Sequence, residues 1–152
     1  MAARPLRVVL PHQLFAAHLD APDGTRFVLL EHDLFFRQYA FHRQKLVLHR
    51  ASMRRFADRL RDRGFEVEHV ETDGRTTSRH ALADVVKRFR PSEVVVHDLV
   101  DDWAEQDVAA ALGDSGIEWT PDAALESPAF LTTRAQVHEA LGSGRARMKD
   151  FY

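Results

Sequence analysis

The 152-residue chain has no cysteine. That excludes disulfides, a thiol nucleophile and an iron–sulfur cluster held by thiolates of its own. It also lacks a glycine-rich phosphate loop. The first apolar run, Leu6–Leu10, is followed by Pro11-His12-Gln13, neither G-x-G-x-x-G nor a Walker pattern, which argues against nucleotide binding by those two loops. A G-x-S-x-G elbow is missing as well. No apolar stretch approaches the roughly 20 residues of a membrane-spanning helix, and the opening MAARPLRVVL is a charged lead into a short strand, not a secretory signal. The chain is read as cytoplasmic, with no membrane partner. Its net charge is only -2, from 21 Lys and Arg against 23 Asp and Glu, so no overall field draws it to nucleic acid.

What is present is an ordinary globular composition, 45% hydrophobic and 29% charged, at the length of one domain with a real core. The longest uninterrupted helical stretch runs from about Phe41 to Arg63 and stops at Gly64. Leu46, Met53, Phe56, Ala57 and Leu60 share a face at helical spacing, and Leu48 and Ala51 are read as widening it. The other face carries Arg43, Lys45, Arg50, Arg54, Arg55, Arg59, Arg61 and Arg63 against Asp58 and Asp62. Strands are expected at Leu6–Leu10, Arg26–Leu30, Phe65–Val70, Glu93–His97 and Ile117–Thr120. Further helices are expected from Thr77 or Ser78 to Phe89, from about Trp103 to Leu112, and from Thr132 or Thr133 to Leu141, with a short helical segment near His18. Alternating strands and helices predict an α/β fold: an open, Rossmann-like parallel sheet of about five strands with helices on both faces.

Ligands in such folds bind beyond the carboxyl ends of the strands. Those ends offer His12, Gln13, Glu31, His32, Asp33, His97, Asp98 and Asp101. Nine histidines invite a metal reading, but His42 and His49 lie seven apart and His12, His32 and His97 form no paired ligand spacing. Solvated or hydrogen-bonded histidines are the plainer account. Lys45 stands one turn inside the long helix, where an exposed lysine is equally the plain reading. The basic stripe has no interleaved aromatic residues to stack bases, so direct single-strand binding is unsupported. Of the pairs Phe35-Phe36 and Phe151-Tyr152, one ring each is assigned to the core and the other to a partner surface.

Several segments together carry a family resemblance: Gln13-Leu14 after the first strand, Glu31 after the second, and the run FFRQYAFHRQKLVLHRASMRRFA. Ser127-Pro128 before the last helix and Arg147-Met148-Lys149-Asp150-Phe151-Tyr152 complete the set. The chain resembles the beginning of the bacterial cryptochrome/photolyase-related proteins, the iron–sulfur branch. The resemblance spans essentially all of this chain but only about the first third of such a protein. One departure stands at the first loop, where many relatives have Gly-Asp and this chain has Pro11-His12.

The resemblance implies that residues 1–125 are an antenna-type domain and 126–152 a terminal helix and linker toward an FAD-binding helical domain. In such proteins the antenna domain holds a light-harvesting ribityllumazine at the carboxyl edge of its sheet. The helical domain binds FAD and a cysteine-ligated cluster and repairs damaged DNA or senses blue light. FAD and the cluster would lie beyond Tyr152, in a longer parent chain or the product of a split gene. That domain is the implied partner, damaged DNA is met only through the complete protein, and no catalytic residue is expected here. The chromophore site is expected among Leu10, His12, Gln13, Glu31, His32, Asp98 and Asp101, with Phe36 or Tyr39 stacking on the ring and Lys45 reaching an electronegative edge; His12 either lines that space or fills it. The other reading is a stand-alone α/β nucleotide- or protein-binding domain without photochemistry.

Overall fold

The computed structural model describes residues 3–142. Four strands, β1 (Leu6–Val9), β2 (Arg26–Leu30), β3 (Glu66–Val70) and β4 (Val94–Val96), form a wholly parallel sheet in the order β3-β2-β1-β4. Alternation along the strands sets the layers. Leu6, Val8, Leu10, Val28, Leu30 and Val96 pack against α3 (Ser78–Phe89) and α4 (Asp102–Gly113). Val9, Phe27 and Leu29 pack against α2 (Arg43–Asp62). Burial on both faces is why the strands read as near-continuous apolar runs. A 3-10 turn, Ala16–Asp20, and a one-turn helix α1 (Asp33–Phe36) follow β1 and β2.

The long helix forms because His42 caps it, Nδ1 accepting the Gln44 N–H at 3.2 Å, and because nothing breaks it before Gly64. That glycine sits at φ +87, a left-handed position that ends helices cheaply only without a Cβ. Met53, Phe56, Ala57 and Leu60 are buried and Leu46 is half-buried. Leu48 and Ala51, expected to widen this face, are instead exposed. At 3.6 residues per turn they lie about 140° and 160° round the helix from Met53, so they point away from the sheet.

The expected fifth strand does not form; the sheet has four. Ile117–Thr120 runs extended and buries Trp119 in the core, and Pro121–Ala123 then makes a 3-10 turn. Among the described residues the far edge of the sheet is met at Leu125, through a single parallel bridge to His97 just past β4. Four strand ends are also a residue shorter than expected, both of those of β4 and one each of β1 and β3, the last two for local reasons. The Leu10 N–H donates to Gln13 Oε1 rather than to a ladder partner, and the Phe65 N–H donates to the Leu60 carbonyl as a helix cap. Phe36 is buried, as expected of the core ring of that pair, and Phe35 packs half-buried against both clusters. The last helix, α5 (Arg134–Leu141), carries a Thr133–Gln136 capping box and buries no residue. Arg145–Tyr152, the basic-aromatic segment, lies outside the described residues. Among the described residues no helix is long and apolar enough to cross a membrane.

Candidate functional site

Strand order reverses between β1 and β4, so the crevice between their carboxyl ends is where an open parallel sheet offers a ligand site. Here side chains bridge it. Gln13, fully buried, donates from Nε2 to the carbonyls of His97 and Asp98, both at 3.1 Å, and accepts the Leu10 N–H at Oε1. His12 Nε2 sits 3.1 Å from the Leu99 carbonyl, and its ring stacks on Phe35 with centroids 4.9 Å apart. Gln13 therefore ties two strand ends together with both its amide protons.

Glu31 lies at the end of β2 with its carboxylate out of solvent. Arg50, from the second turn of α2, grips it with two parallel bonds, Nε to Oε1 at 2.7 Å and a terminal nitrogen to Oε2 at 2.5 Å. The Thr72 N–H donates to Oε2 at 2.9 Å. His69 Nε2 is 3.3 Å from Oε1, near enough for an ion pair though not aligned for a hydrogen bond. Burial alone would raise the carboxyl pKa. The bonds from Arg50 and the Thr72 N–H, with the His69 ring close by, outweigh it and bring it down to about 2. Glu31 is thus a charged clamp between the sheet and α2.

His32 turns the other way. Its Nδ1 accepts the Leu34 N–H at 3.1 Å, capping α1, which puts the proton on Nε2, 3.3 Å from Asp107 on α4. Burial holds its pKa below the usual histidine range, against the pull of Asp107, Asp33 and Asp101. A cavity of about 480 Å³ opens beside it between α1 and α4, with His32, Leu34, Arg37, Trp103, Gln106 and Asp107 on its walls. Asp33 braces this wall, since its Oδ2 accepts the Ser78 N–H while its own N–H donates to Ser78 Oγ. A second cavity, about 660 Å³, lies beyond β4, walled by Asp98, Glu105, Phe130, Arg134 and Val137. Asp98 accepts Arg134 Nε at 2.8 Å and the Val100 N–H at 3.0 Å, and Asp101 caps α4 through the Ala104 N–H.

The family model described as deoxyribodipyrimidine photo-lyase-related protein matches residues 7–152, from the second residue of β1 onward. The chain belongs to that family. A protein of Acanthamoeba polyphaga mimivirus, "Uncharacterized protein R852", is 27% identical over 154 residues, covering 97% of this chain and 76% of the viral one.

In this photo-lyase-related chain the expected site residues are spread over the carboxyl edge and do not share one pocket. His32 lines the cavity between α1 and α4, Glu31 borders a small cleft of about 240 Å³ above β2 and β3, and Asp98 lines the cavity beyond β4. Leu10 and Phe36 are core. Tyr39 is 66% exposed, edge-on to Phe41, and Lys45 stands 4.1 Å over the Phe41 ring, on the α2 side. Trp103, Gln106 and Asp107 were missed because they sit inside a helix, where sequence pattern alone reads them as a solvated face. In the sequence Arg50 is one of a stripe of cations on the long helix; only the fold brings it to Glu31. Among the described residues, Glu31, His69 and Glu71 are close enough to share a metal ion. Arg50 and Arg54 already neutralise those carboxylates, so the cluster is a salt-bridge network.

Proposed function

We propose that this chain is the light-harvesting, chromophore-binding domain of a cytoplasmic photolyase- or cryptochrome-type flavoprotein that works in light-dependent DNA repair or blue-light sensing. The observation that carries this reading is the family match over residues 7–152, joined to a parallel sheet of the kind that binds ligands at its carboxyl edge. The cavity between α1 and α4 suits a ribityllumazine. Its volume lies within the roughly 300–1,000 Å³ of small-ligand sites. Trp103, 61% exposed, offers an indole face for stacking a flat heteroaromatic ring. Arg37, Gln106 and Asp107 offer directed polar groups to a polyhydroxyl tail. Such a chromophore would absorb light and pass on the excitation. A thiolate-ligated iron–sulfur cluster does not fit this chain, which has no cysteine; this reading assigns it, with FAD, to a helical partner domain through which damaged DNA would be met.

The experiment is a fluorescence titration of the chain with ribityllumazine. Trp103→Ala and Asp107→Ala each remove about 1 kcal/mol or more of contact energy, which is roughly a fivefold to tenfold weaker Kd. Lys45→Ala and Tyr39→Ala, away from the cavity, leave it unchanged. An absence of binding to the parent chain counts against the proposal. Illumination of the chain with UV-damaged DNA is expected to leave the lesions intact, because this reading places the flavin that donates the photoexcited electron in the partner domain.

The second reading, a stand-alone α/β domain without photochemistry, is favoured by one observation. The viral relative is matched over three quarters of its length by this one domain, which leaves little of that protein for a large catalytic partner. A chain that binds no chromophore but is stabilised by a nucleotide would support this alternative.

A further inference from the structure

Two surface patches with apolar centres and charged rims stand out, the second of them on the ridge between the two larger cavities, where Trp103 borders the one between α1 and α4 and Val100 the one beyond β4. The first is the outward flank of the first half of α2. Val47 and Leu48 are 61% and 67% exposed there, with Ala51 one turn on. Their rim is cationic. Arg43 and Arg55 make no ion pair among the described residues, and Lys45 is engaged only with the Phe41 ring. The first carboxylate along the helix, Asp58, already holds Arg61 at 2.9 Å.

The second patch is the N-terminal shoulder of α4, where Val100 is 51% and Trp103 61% exposed. Val100 holds a left-handed backbone, φ +54, which a β-branched residue adopts only under constraint. The constraint is visible: its N–H is bonded to Asp98 Oδ1 at 3.0 Å. A strained backbone therefore holds an apolar side chain out in water. The rim here is anionic. Asp101 accepts the Ala104 N–H and Asp102 accepts Gln106 Nε2 at 2.6 Å, and neither has a cationic partner among the described residues.

One patch is apolar with a positive rim, the other apolar with a negative rim. They sit on helices packed against opposite faces of the sheet, so they do not meet within one molecule. We propose that the chain associates head-to-tail with a second copy of itself, the outer flank of α2 on one copy (Arg43, Val47, Leu48, Arg55) seating on the α4 shoulder of the next (Val100, Asp101, Asp102, Trp103). A contact between two different patches is heterologous and leaves one of each free at the ends, so it propagates into a ring or open string. The charges steer the encounter and make it sensitive to salt. Contacts of this small size are weak, so assembly rises with protein concentration. The inference does not rest on the chromophore reading; because Trp103 also borders the cavity between α1 and α4, its tests use Leu48, Arg55 and Asp102, none of which lines that cavity.

Sedimentation velocity on the 152-residue chain, across a concentration series at low and high salt, reads this directly. The expected result is a mass that grows past the 17.4 kDa monomer with concentration at low salt and collapses at high salt. Leu48→Asp alone and Asp102→Arg alone each abolish growth. Mixing the two restores one intact pair of patches and gives a 1:1 dimer that grows no further. If Leu48→Asp loses its far-ultraviolet circular dichroism, Arg55→Glu takes its place in the same mixing experiment. A parent chain that stays monomeric at low salt overturns the proposal and leaves the patches to another protein. A single variant that still assembles, or a mixture that stays monomeric, overturns it equally.

Discussion

His18 is fully buried, and its ring donates from Nε2 to the Gln13 carbonyl at 3.0 Å. Desolvation, with the nearby His97 and Arg7, pushes its pKa down to about 3. The folded state thus keeps His18 neutral where the unfolded chain protonates it. Stability is full above pH 6.5 and falls as pH drops toward 3, by up to about 1.4 kcal/mol per pH unit for this one group. Glu31, held down to about 2, adds a second loss, beginning below pH 4.5. Thermal melts from pH 7 to 4 should therefore show a steep fall in Tm that His18→Gln flattens between pH 6.5 and 4.5; an unchanged slope would mean another buried histidine dominates. At the Glu31 clamp, Arg50→Ala leaves a carboxylate inside the protein without its guanidinium. The expected loss is about 3 kcal/mol, at the low end for breaking a buried pair, because Arg50 itself is 35% exposed. Arg54→Ala, whose partner Glu71 is on the surface, should cost under about 1 kcal/mol in the same denaturant titration.

Among the elements, the helices are defined by their ends. His42, Thr77, Asp101 and Thr133 each accept a first-turn N–H; Thr77 and Thr133 are among the caps the sequence predicts, while the capping by His42 and Asp101 is seen only in the structure. The C-terminus of α3 is less well made. Arg90 stands there at φ 45, ψ 61, a left-handed position that costs an ordinary L-residue roughly 1–2 kcal/mol and suits glycine. Arg90→Gly should therefore stabilise the chain by about 0.5–1 kcal/mol after the entropy glycine adds to the unfolded state. Lys87→Gly, inside the same helix, should destabilise by about 1 kcal/mol. Equal losses in the two variants, measured by urea unfolding, would show that the cap geometry is not what α3 depends on.

For the molecule as a whole, the core closes before α5. That helix buries nothing, while Leu125 makes the bridge to β4 and Trp119 fills the core. A chain ending at Ser127 should still unfold in one cooperative transition, less stable by about 1–3 kcal/mol because Asp98 loses Arg134. A non-cooperative melt would place the boundary later.

The composition, the apolar runs and the caps were enough to determine four of the strands, the long helix and the parallel class, because each depends on local pattern: period, breaker and cap. Glu31 and His32 were legible as strand-end groups for the same reason. Only the tertiary structure decided what those groups face. Adjacent in sequence, they point to opposite layers, Glu31 to Arg50 of α2 and His32 to Asp107 of α4, because side chains alternate along an extended chain and two different helices cover its two sides. Likewise no local pattern could reject Ile117–Thr120 as a strand. Its fate depended on whether the edge of β4 was met there, and the chain comes to that edge later, at Leu125. Leu48 and Leu60 are equally apolar on one helix; which of them is core was decided by where the sheet lay.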